Sequence, residues 1–152
     1  MIYHVIYDGN CNLCVNSVRL LEQFDQGRQF SYVPMQDQAT LARFNISPQD
    51  CERGIILITG SQPDLRWQGS QAIEAIGELL SLGDLPLGKL FVEAYRQLPG
   101  AQWTGDRLYE KVRDHRYGLF GQRDSTYQSA YPVSAYPVPE PSCGDGNCGS
   151  NE

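Results

Sequence analysis

The chain has 152 residues, of which 41% are hydrophobic, so it is long enough for one domain with a buried core. Its formal net charge of −6 argues against nucleic-acid binding, which needs a basic surface. No apolar run approaches the ~18–20 residues that cross a bilayer, and the first residues lack the basic and apolar regions of a signal peptide. We therefore expect a cytoplasmic protein without a membrane partner.

Apolar spacing and turn residues predict alternating strands and helices along the first 120 or so residues. Strands are predicted over residues 2–7, 29–33, 55–59 and 65–68, and helices over 11–26, from Asp37, from Ser47-Pro48, from Ser70, over 86–98 and over 105–117. The first β-α-β unit implies two parallel strands joined by a right-handed crossover, and the later hairpin adds an antiparallel edge. The order predicts an α/β fold, with a βαβαββα core and two added C-terminal helices.

Cys11 and Cys14 stand at the turn between the first strand and the first helix. Residues three apart are neighbours on a helix surface, so the two sulfurs can approach bonding distance. The helix N-terminus favours the reactive thiolate form of a cysteine. In a reducing compartment such a pair is more typical of catalysis or metal binding than of a structural disulfide. A Cys-x-x-Cys beside a βαβ unit predicts a thioredoxin-like fold with a redox-active dithiol.

The composition changes after Arg123. The sequence Ser-Ala-Tyr-Pro-Val occupies residues 129–133 and is repeated at once over 134–138, and four of the nine prolines fall within 132–141. We predict a folded domain over residues 1–123 and, over 124–152, a solvated linker and disordered tail with no core of its own. This tail contains a second cysteine pair, Cys143 and Cys148, in a glycine-rich setting.

The residues around the first cysteine pair, Tyr7-Asp8-Gly9-x-Cys11-x-Leu13-Cys14, resemble the signature of the DCC family of thiol-disulfide oxidoreductases. Two further stretches, Gly69-Ser70-x-Ala72 and Tyr109-x-x-Val112-x-x-x-Arg116-Tyr117, resemble that family's helix start after the hairpin and its C-terminal helix. The resemblance covers roughly residues 2–121 and implies a thioredoxin-like fold with a dithiol active site. Arg113 and His115 depart from the family's usual residues, and Gly54 precedes the third strand where thioredoxin-like proteins usually have a proline.

Within this motif we predict that Cys11, whose sulfur is expected to face solvent, is the nucleophile. Cys14, one turn inside the helix, is then the resolving thiol that attacks the mixed disulfide. Asp8 has two interpretations, a turn and capping residue or a base that accepts the proton of Cys14. Arg116 is expected on the surface, although it could also face Asp8 or the thiolate.

The remaining cysteines have several interpretations. Cys51 is expected to pack as a small buried hydrophobe. Cys143 and Cys148 are a second dithiol exchanging electrons with the first, incidental residues of a tail, or half of a four-cysteine zinc site. The chain from Arg123 can extend on the order of 60 Å at ~3.1 Å per residue, so reach does not exclude the first of these.

The sequence thus predicts a thiol-disulfide oxidoreductase that acts on a protein or small-molecule thiol or disulfide, with no organic cofactor and no resident metal. The alternatives are a zinc-binding module that uses the paired cysteines, and a non-catalytic interaction domain with the tyrosine-proline repeat as a docking segment. The sequence specifies neither the substrate, the reductant, the redox direction nor the oligomeric state.

Overall fold

A computed structural model describes residues 2–60, 65–80 and 87–133 of the chain. The predicted turn at 61–64, the predicted helix start at Pro86 and the tail cysteines lie outside these residues. The elements in chain order are β1 (Tyr3–Tyr7), α1 (Asn12–Asp25), β2 (Phe30–Pro34), α2 (Gln38–Arg43), α3 (Pro48–Glu52), β3 (Ile56–Thr59), β4 (Arg66–Gln68), α4 (Ser70–Leu79), α5 (Leu87–Gln97) and α6 (Ala101–Phe120).

The four strands form one mixed sheet in the order β2-β1-β3-β4. β1 pairs in parallel with β2 through α1, whereas β3 pairs antiparallel with β1 and with β4. This confirms the predicted parallel pair and the antiparallel hairpin. The carboxyl ends of β1 and β2 therefore lie at the same edge of the sheet, where the chain turns into α1.

Alternating side chains of the strands build a core on each face of the sheet. Val5 and Tyr7 of β1 point toward α1 and α4, where they join Val15 and Ile76, and Ile6 points to the opposite face. The cluster on that opposite face is lined by further apolar side chains: Val33, Leu41, Phe44, Ile46, Cys51, Ile56, Ile58 and Val133. Both faces of β1 are thus covered, as its apolar sequence predicts.

Local capping chemistry sets the starts of α2 and α3. The Asp37 side chain accepts a hydrogen bond from the Thr40 amide at 3.2 Å, and Ser47 forms a capping box with Asp50. Two predicted ends shift, because α4 is capped by Gly69 rather than Ser70 and α6 begins at Ala101 rather than at Gly105. Gly69 and Gly100 both have positive φ, which makes them the turn residues at these two starts. No helix in the described part of the chain is long and apolar enough to cross a membrane.

Residues 124–133 pack against the domain, so the prediction of a solvated linker from residue 124 is wrong for this stretch. The Tyr127 amide donates to the Gly9 carbonyl at 2.9 Å, and the Tyr32 amide donates to the Tyr131 carbonyl at 3.0 Å. Pro132 forms a parallel bridge with Tyr32, and Val133 is only 4% exposed. Aromatic and β-branched side chains of the repeat fill the sheet edge, which a composition-based prediction cannot detect.

Candidate functional site

The first cysteine pair lies where β1 turns into α1, as predicted. The Asp8 side chain accepts a hydrogen bond from the Asn10 amide at 3.0 Å, which closes the turn, and the Cys11 amide donates to the Asp8 carbonyl at 3.3 Å. Cys11 is the N-cap residue of α1, with extended backbone angles, and Cys14 lies in the first helical turn. Asp8 is thus a turn residue, whereas the helix has no side-chain cap.

The two thiols contact each other but differ in exposure. Both cysteines are free, and Cys11 is close enough to Cys14 to help raise the pKa of its thiol. Cys11 is 0% exposed, whereas Cys14 is partly exposed. The expectation that the Cys11 sulfur faces solvent is therefore wrong for this structure.

The chain after α6 covers Cys11. Gln122 forms an isolated antiparallel bridge with Cys11, and the Arg123 amide donates to the Asn10 carbonyl at 2.7 Å. The Asn12 amide, at the start of α1, donates to the Gly121 carbonyl at 3.4 Å, which is long for such a bond. We call residues 121–123 the cover segment. It occupies one of the amides that the N-terminus of a helix leaves free.

Cys14 lines a mainly apolar pocket of about 210 Å³ between α1, α4 and α6. Its walls contain Tyr7, Asp8, Leu13, Cys14, Ser17, Met35, Gly54, Ile55, Ile73, Tyr109, Val112, Arg113 and Arg116. Apolar walls beside a thiol provide a surface on which the residues next to a substrate disulfide can pack.

Asp8 is the polar centre of the site and is 1% exposed. Its Oδ1 atom accepts hydrogen bonds from Gln36 Nε2 at 2.9 Å and from the Asn10 amide. Its Oδ2 atom accepts hydrogen bonds from Arg116 Nη2 at 3.2 Å and from the Tyr117 hydroxyl. Burial by itself raises the pKa of Asp8, but these hydrogen bonds and the Arg116 charge outweigh it and leave the pKa lower than usual. A lower pKa makes Asp8 a weaker proton acceptor.

The pKa of the Cys14 thiol is raised to about 12, first by burial and then by its hydrogen bond to Cys11 and the charge of Cys11. The Arg116 charge acts in the opposite direction, and the negative charge of Asp8 raises the pKa slightly further. Cys14 therefore keeps its proton at neutral pH and is available as a hydrogen-bond donor to the Cys11 sulfur.

Helix α6 contributes residues that the sequence interpretation did not assign to the site. The Arg116 side chain is 13% exposed and forms an ion pair with Asp8, so the expectation of a surface arginine is wrong. The Tyr109 hydroxyl accepts a hydrogen bond from the Ile55 amide at 3.1 Å. Tyr109, Val112 and Arg116 are three and four residues apart, which places them on one helix face, and this spacing was the available signal.

Cys51 lies apart from the dithiol in the apolar cluster below the sheet. It is 4% exposed, and burial raises the pKa of its thiol. This confirms the prediction that Cys51 packs as a small hydrophobe. In the part of the chain that the structure describes, no group of three or more His, Cys, Asp or Glu side chains is placed to hold a metal ion. The four-cysteine zinc alternative needs Cys143 and Cys148, which lie outside that part.

Comparison with known proteins agrees with the geometry of the site. Residues 5–122 match the DCC1-like thiol-disulfide oxidoreductase family. The chain is also 28% identical over 125 residues to a chloroplastic DCC family protein of Arabidopsis thaliana. That match covers 80% of this chain and 66% of the relative, slightly less than two thirds of its length. No solved structure gives a significant match. The chain belongs to the DCC1-like thiol-disulfide oxidoreductase family.

Proposed function

We propose that this chain is a thioredoxin-like protein thiol-disulfide oxidoreductase that works through Cys11 and Cys14. The observation that carries the proposal is the pair of free thiols at the start of α1, with Cys14 in the wall of an apolar pocket. Family membership supports the same reaction class. Protein disulfides are the substrate class that suits an open, apolar pocket with arginines at its wall.

In this proposal Cys11 is the nucleophile and Cys14 is the resolving thiol. The Cys11 thiolate attacks one sulfur of a substrate disulfide, a mixed disulfide forms, and the other substrate sulfur leaves as a thiolate and takes up a proton. Cys14 then loses its proton and attacks Cys11, which releases the second substrate thiol and leaves a Cys11–Cys14 disulfide. The raised pKa of Cys14 suits this order, because Cys14 stays protonated until the mixed disulfide has formed.

Substrate access to Cys11 requires displacement of the cover segment. This displacement breaks the isolated bridge at Gln122, the 2.7 Å hydrogen bond from the Arg123 amide to the Asn10 carbonyl and the long hydrogen bond from the Asn12 amide, whereas the core of the sheet is untouched. Arg116 and Tyr117 hold Asp8, and through it the turn that carries Cys11. Asp8 therefore acts as a positioning residue.

For localisation the proposal is the cytoplasm, where thiols are kept reduced. The relative in Arabidopsis thaliana is chloroplastic. Fractionation of cells that express the full chain decides between a cytoplasmic and an organellar location.

The test is a redox titration against glutathione with residue-resolved mass spectrometry of the alkylated peptides. The wild type should show one two-electron couple at Cys11 and Cys14. Cys14→Ser should accumulate a mixed disulfide on Cys11 that is not resolved, whereas Cys11→Ser should form one on Cys14 at a rate lower by about tenfold or more, because burial still raises the pKa of Cys14 in that variant and leaves little thiolate.

Cys51→Ser is the matched control and should leave the couple unchanged, because Cys51 lies in the other apolar cluster. A mixed disulfide that forms faster on Cys14 than on Cys11 would reverse the two roles. Absence of any exchange at either cysteine would refute the function.

A further inference from the structure

The second cysteine pair follows the described part of the chain by a short distance in sequence. Cys143 and Cys148 are separated by Gly-Asp-Gly-Asn, and nine residues separate Val133 from Cys143. Glycines in a four-residue spacer allow the sharp turn that brings two Cα atoms within the ~4.4–6.8 Å of a disulfide. The spacing and the glycines therefore allow Cys143 and Cys148 to form a disulfide with each other.

The last described residues direct the chain toward the Cys11 and Cys14 site. Pro132 bridges Tyr32 in parallel, and β2 is itself parallel to β1. Residues 131–133 therefore run in the direction in which β1 leads to Asp8. Val133 belongs to the apolar cluster against which Met35 packs, and Met35 also lines the Cys14 pocket.

The length of chain after Val133 is sufficient to reach the site. Strands are ~4.8 Å apart, so Pro132 lies about 10 Å from β1, and the turn that carries Cys11 begins about 10 Å further along. Ten residues from Val133 to Cys143 span about 30 Å at ~3.1 Å per residue. This span exceeds the separation of about 20 Å between Pro132 and the turn that carries Cys11. A much shorter connection would not cover that separation.

Charge complements this geometry. Residues 134–152 contain Glu140, Asp145 and Glu152 and no lysine or arginine. The wall of the pocket contains Arg113 and Arg116, which form ion pairs with Asp114 and Asp8 respectively. Asp114 is exposed, so a tail carboxylate can replace it as the partner of Arg113. Asp145 lies between the two tail cysteines, so a tail cysteine at the pocket brings a carboxylate close to these guanidinium groups.

We propose that Cys143 and Cys148 are an intramolecular redox partner that exchanges its disulfide with Cys11 and Cys14. This relay rests on the proposed function. In the reducing direction, Cys11 attacks one sulfur of a Cys143–Cys148 disulfide and the other tail sulfur leaves and is protonated. Cys14 then attacks Cys11, so the tail ends as two thiols and the site ends as a disulfide. Two electrons and two protons pass from the site to the tail, and the reverse steps return them.

The experiment uses the full chain with Cys14→Ser, which removes the resolving thiol. The protein is equilibrated with oxidised glutathione, alkylated, and digested without reduction. A peptide that joins Cys11 to Cys143 or Cys148 should be the dominant Cys11 adduct, ahead of glutathione. Its fraction should be constant between about 1 and 100 µM protein, because a tethered partner has an effective concentration near the millimolar range.

A matched pair of charge variants tests the docking. Arg113→Glu should lower the cross-linked fraction about two- to fivefold, the size expected for an exposed charge pair. Arg107→Glu, on the same helix but outside the pocket wall, should leave it unchanged.

Two results would overturn the relay while the proposed function stands. One is a Cys11–glutathione adduct without a tail cross-link, in a protein whose wild type titrates normally at Cys11 and Cys14. The other is a cross-linked dimer whose fraction rises with protein concentration. Failure of the wild-type titration would instead refute the proposed function, and the relay with it.

Discussion

Asp8 connects the turn that carries Cys11 to α6 through contacts between residues that are far apart in the sequence. Its partners Gln36, Arg116 and Tyr117 are 28, 108 and 109 residues away in sequence. The carboxylate is fully desolvated, so loss of any of these donors leaves a buried charge less well compensated. The same carboxylate raises the pKa of Cys14, which links the turn to thiol chemistry.

Asp8→Asn should lower the pKa of Cys14, because it removes a negative charge and leaves the Arg116 charge unpaired next to the thiol. The alkylation rate of Cys14 against pH, followed by residue-resolved mass spectrometry, should shift to lower pH. Stability should fall by about 1–3 kcal/mol because Arg116 loses its acceptor. Asp50→Asn is the control, since Asp50 acts on Cys51 and not on Cys14. An unshifted or upward-shifted Cys14 profile would contradict the electrostatic link.

His4 gives the fold a separate pH dependence. Burial lowers the pKa of His4 to about 4, and its ring contacts Ser31 and stacks on Phe44. An unfolded histidine titrates near ~6.5, so between about pH 6.5 and 4 the unfolded state binds the extra proton and stability falls as pH falls. The urea midpoint should be lower at pH 5 than at pH 7. His4→Asn should make the urea midpoint depend less steeply on pH, even though it lowers the midpoint at pH 7. An equally steep dependence in this variant would show that other groups cause it.

At the scale of elements, α6 serves the site although none of its residues is fully buried. It extends over 20 residues and places Tyr109, Arg116 and Tyr117 along the pocket and the turn that carries Cys11. Tyr109 packs so closely against the backbone of Gly54 that no side chain fits at that position. A Cβ added to Gly54 would lie 2.0 Å from the Tyr109 hydroxyl. The contact of α6 with the sheet thus depends on a glycine.

Gly54→Ala should destabilise the protein by more than about 1 kcal/mol, because alanine is strained at a φ of 109° and clashes with Tyr109. Gly118→Ala is the matched control within α6, with nothing within 4 Å of an added Cβ, and should stabilise the protein by about 0.5–1 kcal/mol. Urea unfolding measures both. In a Tyr109→Phe background the cost of Gly54→Ala should decrease, since the hydroxyl is absent, and an undiminished cost would assign the effect to backbone strain alone.

In the tertiary structure, residues 121–133 pack against the turn that carries Cys11 and against the sheet edge. Tyr7 donates its hydroxyl hydrogen bond to the Tyr127 carbonyl at 2.8 Å, and Tyr127 and Tyr131 pack against the first core cluster. The domain therefore ends at Val133 or beyond. The length of chain that connects the domain to Cys143 and Cys148 is therefore counted from Val133.

Truncation should reveal this boundary. A chain that ends at Val133 should keep its urea midpoint, because the packed segment is intact. A chain that ends at Arg123 should lose at least about 3 kcal/mol, since it removes the buried Val133 and the packed faces of Tyr127 and Tyr131. Tryptophan fluorescence during urea unfolding gives both values. Equal midpoints for the two truncated chains would show that residues 124–133 contribute nothing to stability.

The order and type of the elements, the parallel β1–β2 pair, the hairpin and the position of the cysteine pair at a helix start were all predictable from the sequence. These features follow from apolar periodicity, capping residues and cysteine spacing, which act over a few residues and are visible along the chain. The packing of Cys51 was predictable for the same reason, because a lone cysteine between apolar segments usually packs as one of them.

The residues that surround the cysteines could be identified only from the folded arrangement of the elements. An arginine side chain is amphipathic, so at position 116 it can either face solvent or pair with a buried carboxylate. Which of the two occurs depends on where α6 crosses α1. The burial of Cys11 depends in the same way on the cover segment, which is 110 residues away from it along the chain. Such contacts are set by the packing of whole elements, which local patterns do not encode, and they decide how exposed each of the two thiols is.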